Sequence, residues 1–216
     1  MVFSLKRIIV FANGDLPDLN KARPLLHADD FIICADGGTS HALALGLTPN
    51  LVIGDLDSLA KGQWQELEKI GVSIELFPRD KNETDLELAI NRAIELEPKQ
   101  LVIVAAFGGR LDQTLANMTL LIDPRLATFD VRLDDGVEEA LVCRSQAKVH
   151  GRTGDIVSLI PWGNPVHHIR TRGLKWPLDN ETLFPEKTRG ISNEMSGEVA
   201  SIEIGSGLLL IIHLRV

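Results

Sequence analysis

The chain opens as short apolar runs separated by polar stretches. Arg7–Ala12, Phe31–Ala35, Leu51–Ile53, Ser73–Phe77 and Leu101–Ala105 are strand-length runs dominated by Ile, Val and Leu. Apolar residues that follow one another without alternation predict strands buried on both faces. The segments between them carry a helical period. Ser58 is placed to cap a helix over Leu59–Ile70, with Gly71 just past its end. Thr84-Asp85-Leu86-Glu87 is a capping-box pattern. After it, Leu86, Ala89, Ile90, Ala93 and Ile94 fall on one helix face, and Pro98 closes the segment. A further helix is predicted from near Asp112, with Leu115, Met118 and Ile122 on its apolar side. Strands alternating with helices predict a mostly parallel, Rossmann-like α/β domain over residues 1–136.

The helical period is lost near Asp134–Glu139. Residues 137–216 carry short strand patterns punctuated by Gly, Pro and Asn: Ala140–Cys143, Asp155–Ile160, His167–Arg170, Val199–Ile204 and Leu208–Leu214. Gly205-Ser206-Gly207 between the last two reads as a hairpin turn. The C-terminal part is therefore expected to be a small all-β sandwich.

Composition narrows the functional classes. Of 216 residues, 44% are hydrophobic and 24% charged, values of a folded chain with a sizeable core. The formal net charge of −8 argues against non-specific nucleic-acid or anionic-membrane binding. It suits a cationic ligand, or metal ions that screen phosphates. Cys34 and Cys143 are too few for a disulfide framework or a four-Cys zinc site, and both sit in apolar runs. Buried thiols in a reducing cytoplasm are the expectation. No apolar run reaches membrane-spanning length, and Lys6 and Arg7 interrupt the N-terminal one.

The chemistry lies in where the aspartates fall. Asp36-Gly37-Gly38 follows the second run, Gly54-Asp55-Leu56-Asp57-Ser58 the third, Lys81 and Thr84-Asp85 the fourth, and Gly108-Gly109-Arg110-Leu111-Asp112 the fifth. In open α/β sheets ligands bind outside the carboxyl ends of the strands. Asp36, Asp55, Asp57, Asp85 and Asp112 are thus expected to converge on one sheet edge. Carboxylates gathered there repel one another unless a cation sits among them, and hard oxygen ligands suit Mg²⁺ with substrate phosphates. Lys81 and Arg110 add a phosphate clamp at the same edge. Taken singly, each aspartate reads equally well as a turn former or a helix cap, and Gly37-Gly38 as a plain turn. The repetition along one edge favours Mg²⁺-dependent chemistry on a nucleotide polyphosphate. No G-x-x-x-x-G-K-[ST], no G-x-G-x-x-G opening a helix and no G-x-S-x-G is present. His167-His168 lacks a third ligand nearby, and His213 reads as a packed or surface residue. In the β-module, Trp176 before Pro177 is a candidate stacking platform, with Ser192 and Asn193 as polar partners. A core anchor followed by a turn is the alternative.

Assembled in order, these segments resemble the thiamin pyrophosphokinase family. The likeness runs through Ala35-Asp36-Gly37-Gly38, Pro49 to Ser58, Lys81 to Asp85 and Gly108 to Asp112. It continues through Ser158-Leu159-Ile160-Pro161, Gly173 to Leu178 and Ser192-Asn193-Glu194. The resemblance implies an α/β catalytic domain, a β-sandwich, and a homodimer with thiamin near the subunit interface. It implies pyrophosphate transfer from ATP to the thiamin hydroxyl, releasing AMP. It implies nucleotide contacts from Asp36, Gly37, Gly38, Asp55, Asp57, Ser58, Gly109 and Arg110, with Mg²⁺ on Asp55, Asp57 and Asp85. Thiamin contacts fall to Trp176, Ser192, Asn193 and Asp85. Lys81, Asp85, Arg110 and Asp112 form the catalytic set, Asp85 or Asp112 serving as base. The chain departs from the family at Asn82, where a carboxylate is common, at Gln113, where His is frequent, and at Trp176, often Tyr. A pyrophosphokinase for another heterocyclic alcohol, a nucleotide-sugar transferase and a non-catalytic sensor are the competing readings.

Overall fold

A computed structural model describes residues 7–59 and 62–216. The chain divides into two compact units, residues 1–136 and 137–216.

The first unit is built on β1 (Arg7–Phe11), α1 (Leu19–Ala22), β2 (Phe31–Ala35), α2 (Gly38–Ala44), β3 (Leu51–Gly54), α3 (Gln63–Lys69), β4 (Ser73–Leu76), α4 (Asp85–Glu95), β5 (Gln100–Val104), α5 (Leu111–Leu120) and β6 (Asp130–Asp134). Its strands lie in the order β6-β5-β1-β2-β3-β4, and every pairing is parallel. Parallel strands need crossovers, so both sheet faces are covered, which is why the inner strands β1, β2, β3 and β5 are apolar almost throughout. In contrast β4, at the edge and expected to be buried, holds no buried residue. Ile9, Phe11, Cys34, Val52, Val102 and Val104 form one buried face with Ala42, Leu45 and Leu67 from the helices. Residues one position away face the opposite side. There α4 lies against β1, β2 and β3 and buries Leu86, Ala89, Ile90 and Ala93.

Three local expectations are corrected. The helix expected over Leu59–Ile70 begins only at Gln63, after Gly62 at φ 91°. Ala60 and Lys61 lie outside the described residues, and the Ser58 hydroxyl is bonded to Asp57 Oδ1 at 3.4 Å. Second, α5 buries no residue; Leu111 and Leu115 are 73% and 49% exposed in the isolated chain. Third, β6 pairs with β5 through Leu101–Val131 and Ile103–Leu133 although its sequence, Asp-Val-Arg-Leu-Asp, lacks the apolar run that marks β1, β2, β3 and β5. Its polar residues alternate because it is only half-buried.

The second unit holds β7 (Glu138–Cys143), β8 (Gln146–His150), β9 (Ile156–Pro161), β10 (Val166–Arg172), β11 (Asp179–Leu183), β12 (Asn193–Glu194), β13 (Val199–Glu203) and β14 (Leu209–Leu214). They form two antiparallel arrays, β12-β9-β14-β7 and β11-β10-β13-β8. Val157, Leu159, Ile169, Leu183, Ile202, Leu209 and Ile211 supply the buried side chains between them. The Gly205-Ser206-Gly207 hairpin is overturned: β13 and β14 belong to different arrays. Each is already paired on both sides, so neither has an edge left for the other. The glycine turn instead bonds to β10, with Gly205 N–H donating to the His167 carbonyl and His167 N–H to the Ser206 carbonyl.

Candidate functional site

In the first unit the strand ends deliver their aspartates as the topology requires. Asp36 follows β2 at φ 43° and is 6% exposed; Asp55 and Asp57 follow β3, with Leu56 between them at φ 59°. The carboxylate oxygens of Asp36, Asp55 and Asp57 lie within 4.8 Å of one another. Asp57 N–H donates to Asp55 Oδ1 at 3.2 Å, a turn that keeps both side chains on one side. Gly54, at φ 147°, makes the gathering possible. A Cβ there meets Asp85 Oδ1 at 3.0 Å and the Asp36 Cβ at 3.1 Å. Asp36 Oδ1 is buried and accepts no hydrogen bond. A buried carboxylate oxygen without a donor, beside two further carboxylates, fits a divalent cation held by hard oxygen ligands.

Asp85 opens α4, whose cap is made by Thr84 Oγ1 accepting from Glu87 N–H at 3.1 Å. Its Oδ1 lies 3.0 Å from Lys81 Nζ, and Lys81 also donates to the Pro78 carbonyl at 3.2 Å. Burial raises the Asp85 carboxyl above its ordinary range; Lys81 works against that shift, Asp36 and Asp55 with it. The trio whose oxygens gather most closely is thus Asp36, Asp55 and Asp57. Asp85 stands beside it, tied to Lys81.

Asp112 does not join the cluster. It is exposed on the first turn of α5 and forms a two-pronged pair with Arg110. The guanidinium holds its carboxyl below the usual carboxylate range. Arg110 itself lines a hollow of about 430 Å³ together with Asn13, Asp36, Asp57, Ser58 and Asp85. Gly37 and Gly38 earn their place by contact: a Cβ on Gly38 meets the Phe11 carbonyl at 2.1 Å, and one on Gly37 meets Asn13 Oδ1 at 2.3 Å. Two lining residues escaped the sequence reading. Asn13 follows a strand run as the aspartates do, but no carboxylate marks it. Arg79, 3.7 Å from Asp57 Oδ2, sits in the polar stretch that also supplied Lys81.

The second unit carries a separate hollow of about 330 Å³ over Leu159, Pro177, Leu178 and Ile191, with Trp176 and Arg189 among its lining. Trp176 is 53% exposed, which removes the core-anchor alternative. Lys175 Nζ lies 4.7 Å from its ring centroid and 2.7 Å from Glu194 Oε2. Asn193 is buried, and its amide is spent on the backbone. Its Oδ1 accepts from Trp176 N–H and Glu194 N–H at 3.1 and 2.9 Å, and its Nδ2 donates to the Trp176 carbonyl at 2.6 Å. Asn193 also lines the hollow, so its side chain braces the Trp176 loop from within the same space. Ser192 is exposed at φ 59°, its N–H held by Ser158 Oγ at 3.0 Å.

Comparison with known proteins follows the same division. Residues 22–133 match the family model described as thiamin pyrophosphokinase, catalytic domain, and residues 144–209 that described as thiamin pyrophosphokinase, vitamin B1 binding domain. The chain is 28% identical over 222 residues to a thiamine pyrophosphokinase of Bacillus subtilis (strain 168), covering 97% of this chain and 99% of that one. It is 27% identical over 236 residues to thiamine pyrophosphokinase 2 of Arabidopsis thaliana, covering 96% and 86%. Among solved structures, that of thiamine pyrophosphokinase from Bacillus subtilis superposes with a TM-score of 0.87 at 26% identity, over 97% of this chain and 99% of the other. That of thiamin pyrophosphokinase from Geobacillus thermodenitrificans gives 0.83 at 25% identity, over 97% and 98%.

Proposed function

Because the chain belongs to the thiamin pyrophosphokinase family and transfers pyrophosphate from ATP to thiamin, we propose that the first-unit hollow takes the nucleotide and the second-unit hollow the vitamin. Asp36, Asp55 and Asp57 would hold Mg²⁺, the reading carried by the buried, donor-less Asp36 oxygen among three converging carboxylates. Bound there, Mg²⁺ supplies positive charge against the triphosphate.

In the transfer, the thiamin hydroxyl oxygen bonds to the β-phosphorus, the bond from that phosphorus to the oxygen bridging it to the α-phosphorus breaks, and AMP departs. The protein's part is positioning and charge. Asp85 is the residue to orient the hydroxyl and take its proton. Its carboxyl is raised by burial and faces the cluster, whereas Asp112 is exposed and occupied by Arg110. Lys81 holds Asp85 in place, and Arg110 meets the phosphates from the far side of the hollow. Ser58 lines the same space, and Gly37 and Gly38 follow its lining residue Asp36 in the chain. In the second unit Trp176 offers an aromatic face to the thiazolium cation. Asn193 lines that hollow and braces the Trp176 loop, with exposed Ser192 next to it in the chain.

We place the enzyme in the cytoplasm as a homodimer. Both cysteines are buried free thiols, and no helix among the described residues is long and apolar enough to cross a membrane. Leu111 and Leu115 on α5 supply apolar surface for a second copy.

The test is an assay for AMP and thiamin diphosphate with ATP, Mg²⁺ and thiamin, each omitted in turn. Both products form only when all three are present, and Trp176→Ala raises the KM for thiamin more than that for ATP. AMP released without thiamin, or equal effects on both KM values, would sink the assignment of the two hollows.

A further inference from the structure

The loop after β1 lends Asn13 to the lining of the nucleotide hollow, and it also joins the two sides of that hollow. On one side, Asn13 Oδ1 crowds Gly37, and His41 Nε2 on α2 donates to the Gly14 carbonyl at 2.9 Å. On the other, Gly14 N–H donates to the Ala105 carbonyl at 2.7 Å and Asp15 N–H to the Phe107 carbonyl at 2.8 Å. Gly14 has no room for a side chain, since a Cβ there meets the Phe107 carbonyl oxygen at 2.4 Å.

Asp15 completes the link. Its Oδ2 accepts the Gly109 N–H at 2.8 Å across 94 residues of sequence. Gly108 and Gly109 stand at φ 77° and 64°, two successive left-handed residues that wrap around the carboxylate. A Cβ on Gly108 falls 2.2 Å from the same oxygen. The next residue is Arg110, which begins α5 and lines the hollow. Arg110 is held by little of its own; its side chain is 68% exposed and pairs with its neighbour Asp112. What fixes where its guanidinium starts from is the backbone of the glycine pair.

We propose that Asp15 is a positioning residue for pyrophosphate transfer: by anchoring the Gly109 N–H it sets the Gly108-Gly109 turn and so aims Arg110 at the phosphates. The role needs a hydrogen-bond acceptor, not a negative charge. Asp15 itself does not line the hollow, which separates it from the carboxylates of the Asp36 cluster. The proposal rests on the reading of Arg110 as a phosphate contact.

The experiment compares full-length Asp15→Ala, Asp15→Asn, Arg110→Ala and the Asp15→Ala/Arg110→Ala double variant. The readouts are steady-state kinetics and amide hydrogen exchange at Gly109. Loss of the anchor misplaces Arg110, so Asp15→Ala should lower kcat/KM for ATP about tenfold to a hundredfold with little change in the KM for thiamin. Asp15→Asn, whose amide oxygen still accepts, should stay within about threefold of the parent, and Asp15→Ala should add less than about twofold once Arg110 is gone. Gly109 should exchange faster in Asp15→Ala and not in Asp15→Asn. Additive losses in the double variant, or Asp15→Asn as impaired as Asp15→Ala, would overturn the proposal. If Arg110→Ala alone behaves as the parent, the phosphate reading of Arg110 fails, and with it the catalytic role given to Asp15. Unchanged Gly109 exchange in Asp15→Ala overturns the anchor even if ATP kinetics change.

Discussion

Asp57 shows how one side chain is held ready for charge it does not itself neutralise. It is about half-exposed, its N–H is spent on Asp55, and the cation beside it is Arg79 at 3.7 Å. The stabilising value of that exposed pair is therefore small. The proposed value of Asp57 for catalysis is the negative charge it would offer to Mg²⁺. Asp57→Asn keeps the shape and removes that charge, so turnover should fall by about a hundredfold or more while the melting temperature stays near that of the parent. Near-normal turnover at saturating Mg²⁺ would remove Asp57 from the metal site. The same scale separates Asp85 from Asp112. The sequence makes them alike, each an aspartate in a helix's first turn after a basic residue. Their surroundings differ, one among carboxylates under partial burial and the other in water beside a guanidinium.

At the scale of elements, β14 owes its anchorage to a buried polar group that no pattern announces. His213 is fully buried, with Nδ1 3.2 Å from Glu139 Oε2 on β7 and Nε2 3.1 Å from Asp155 Oδ2 before β9. Asp155 also accepts from Arg152 N–H at 2.9 Å and from Val216 N–H at 3.2 Å, which ties down the end of the chain. Burial alone raises a carboxyl, but these donors outweigh it and hold Asp155 below its usual range. A lowered carboxyl stabilises the fold above its unfolded pKa, about 4, and that contribution is lost as pH falls through the folded value. Asp155→Asn should therefore lower the urea midpoint at pH 7, with the gap to the parent closing below about pH 4. His213→Ala removes one hydrogen-bond partner from each of two buried carboxylates, Glu139 keeping Arg215 and Asp155 its backbone donors, and should cost about 1–3 kcal/mol. A gap that stays constant with pH would deny Asp155 its charge-dependent role. Helix α4 is the opposite case. Its cap, its apolar face and its end are all written locally, as Thr84, Leu86-Ala89-Ile90-Ala93 and the residues before Pro98, and each is found where the period puts it. Helix α5 has a comparable period in the sequence and an uncovered face in the isolated chain.

That face belongs to the whole molecule. A helix with Leu111 and Leu115 exposed beside a catalytic loop is unusual for a surface that meets only water. In the dimer reading, sedimentation should give twice the chain mass, and Leu115→Asp should shift the population toward monomer with the fold retained. A parent that sediments as a monomer at micromolar concentration would end that reading. The division of labour between the units is also a property of the whole. Each hollow lies within one unit and is lined by residues of that unit alone. On the proposed reading, chemistry on phosphate and recognition of a cationic ring draw on different local physics, gathered carboxylates in one case and an exposed indole over apolar side chains in the other.

The sequence by itself determined what depends on near neighbours along the chain. Strand runs buried on both faces, the Thr84 cap and the aspartates that follow strand ends are all short-range signals. The ordered set of motifs carried the family because parallel strands bring their ends to one edge whatever lies between them. Only the tertiary structure decided which of those aspartates share oxygen contact, since a few ångströms of loop path place Asp36 in the trio, set Asp85 on Lys81 and turn Asp112 to Arg110. It decided that Gly205–Gly207 crosses between arrays, because strand pairing is a competition among distant edges that no turn signal reports. It also decided the partners of Asn193, His213 and Asp15. A side chain's hydrogen bond to a group 17, 58 or 94 residues away leaves no periodic trace in sequence, and is settled by which segments the folded core brings within 3 Å or so.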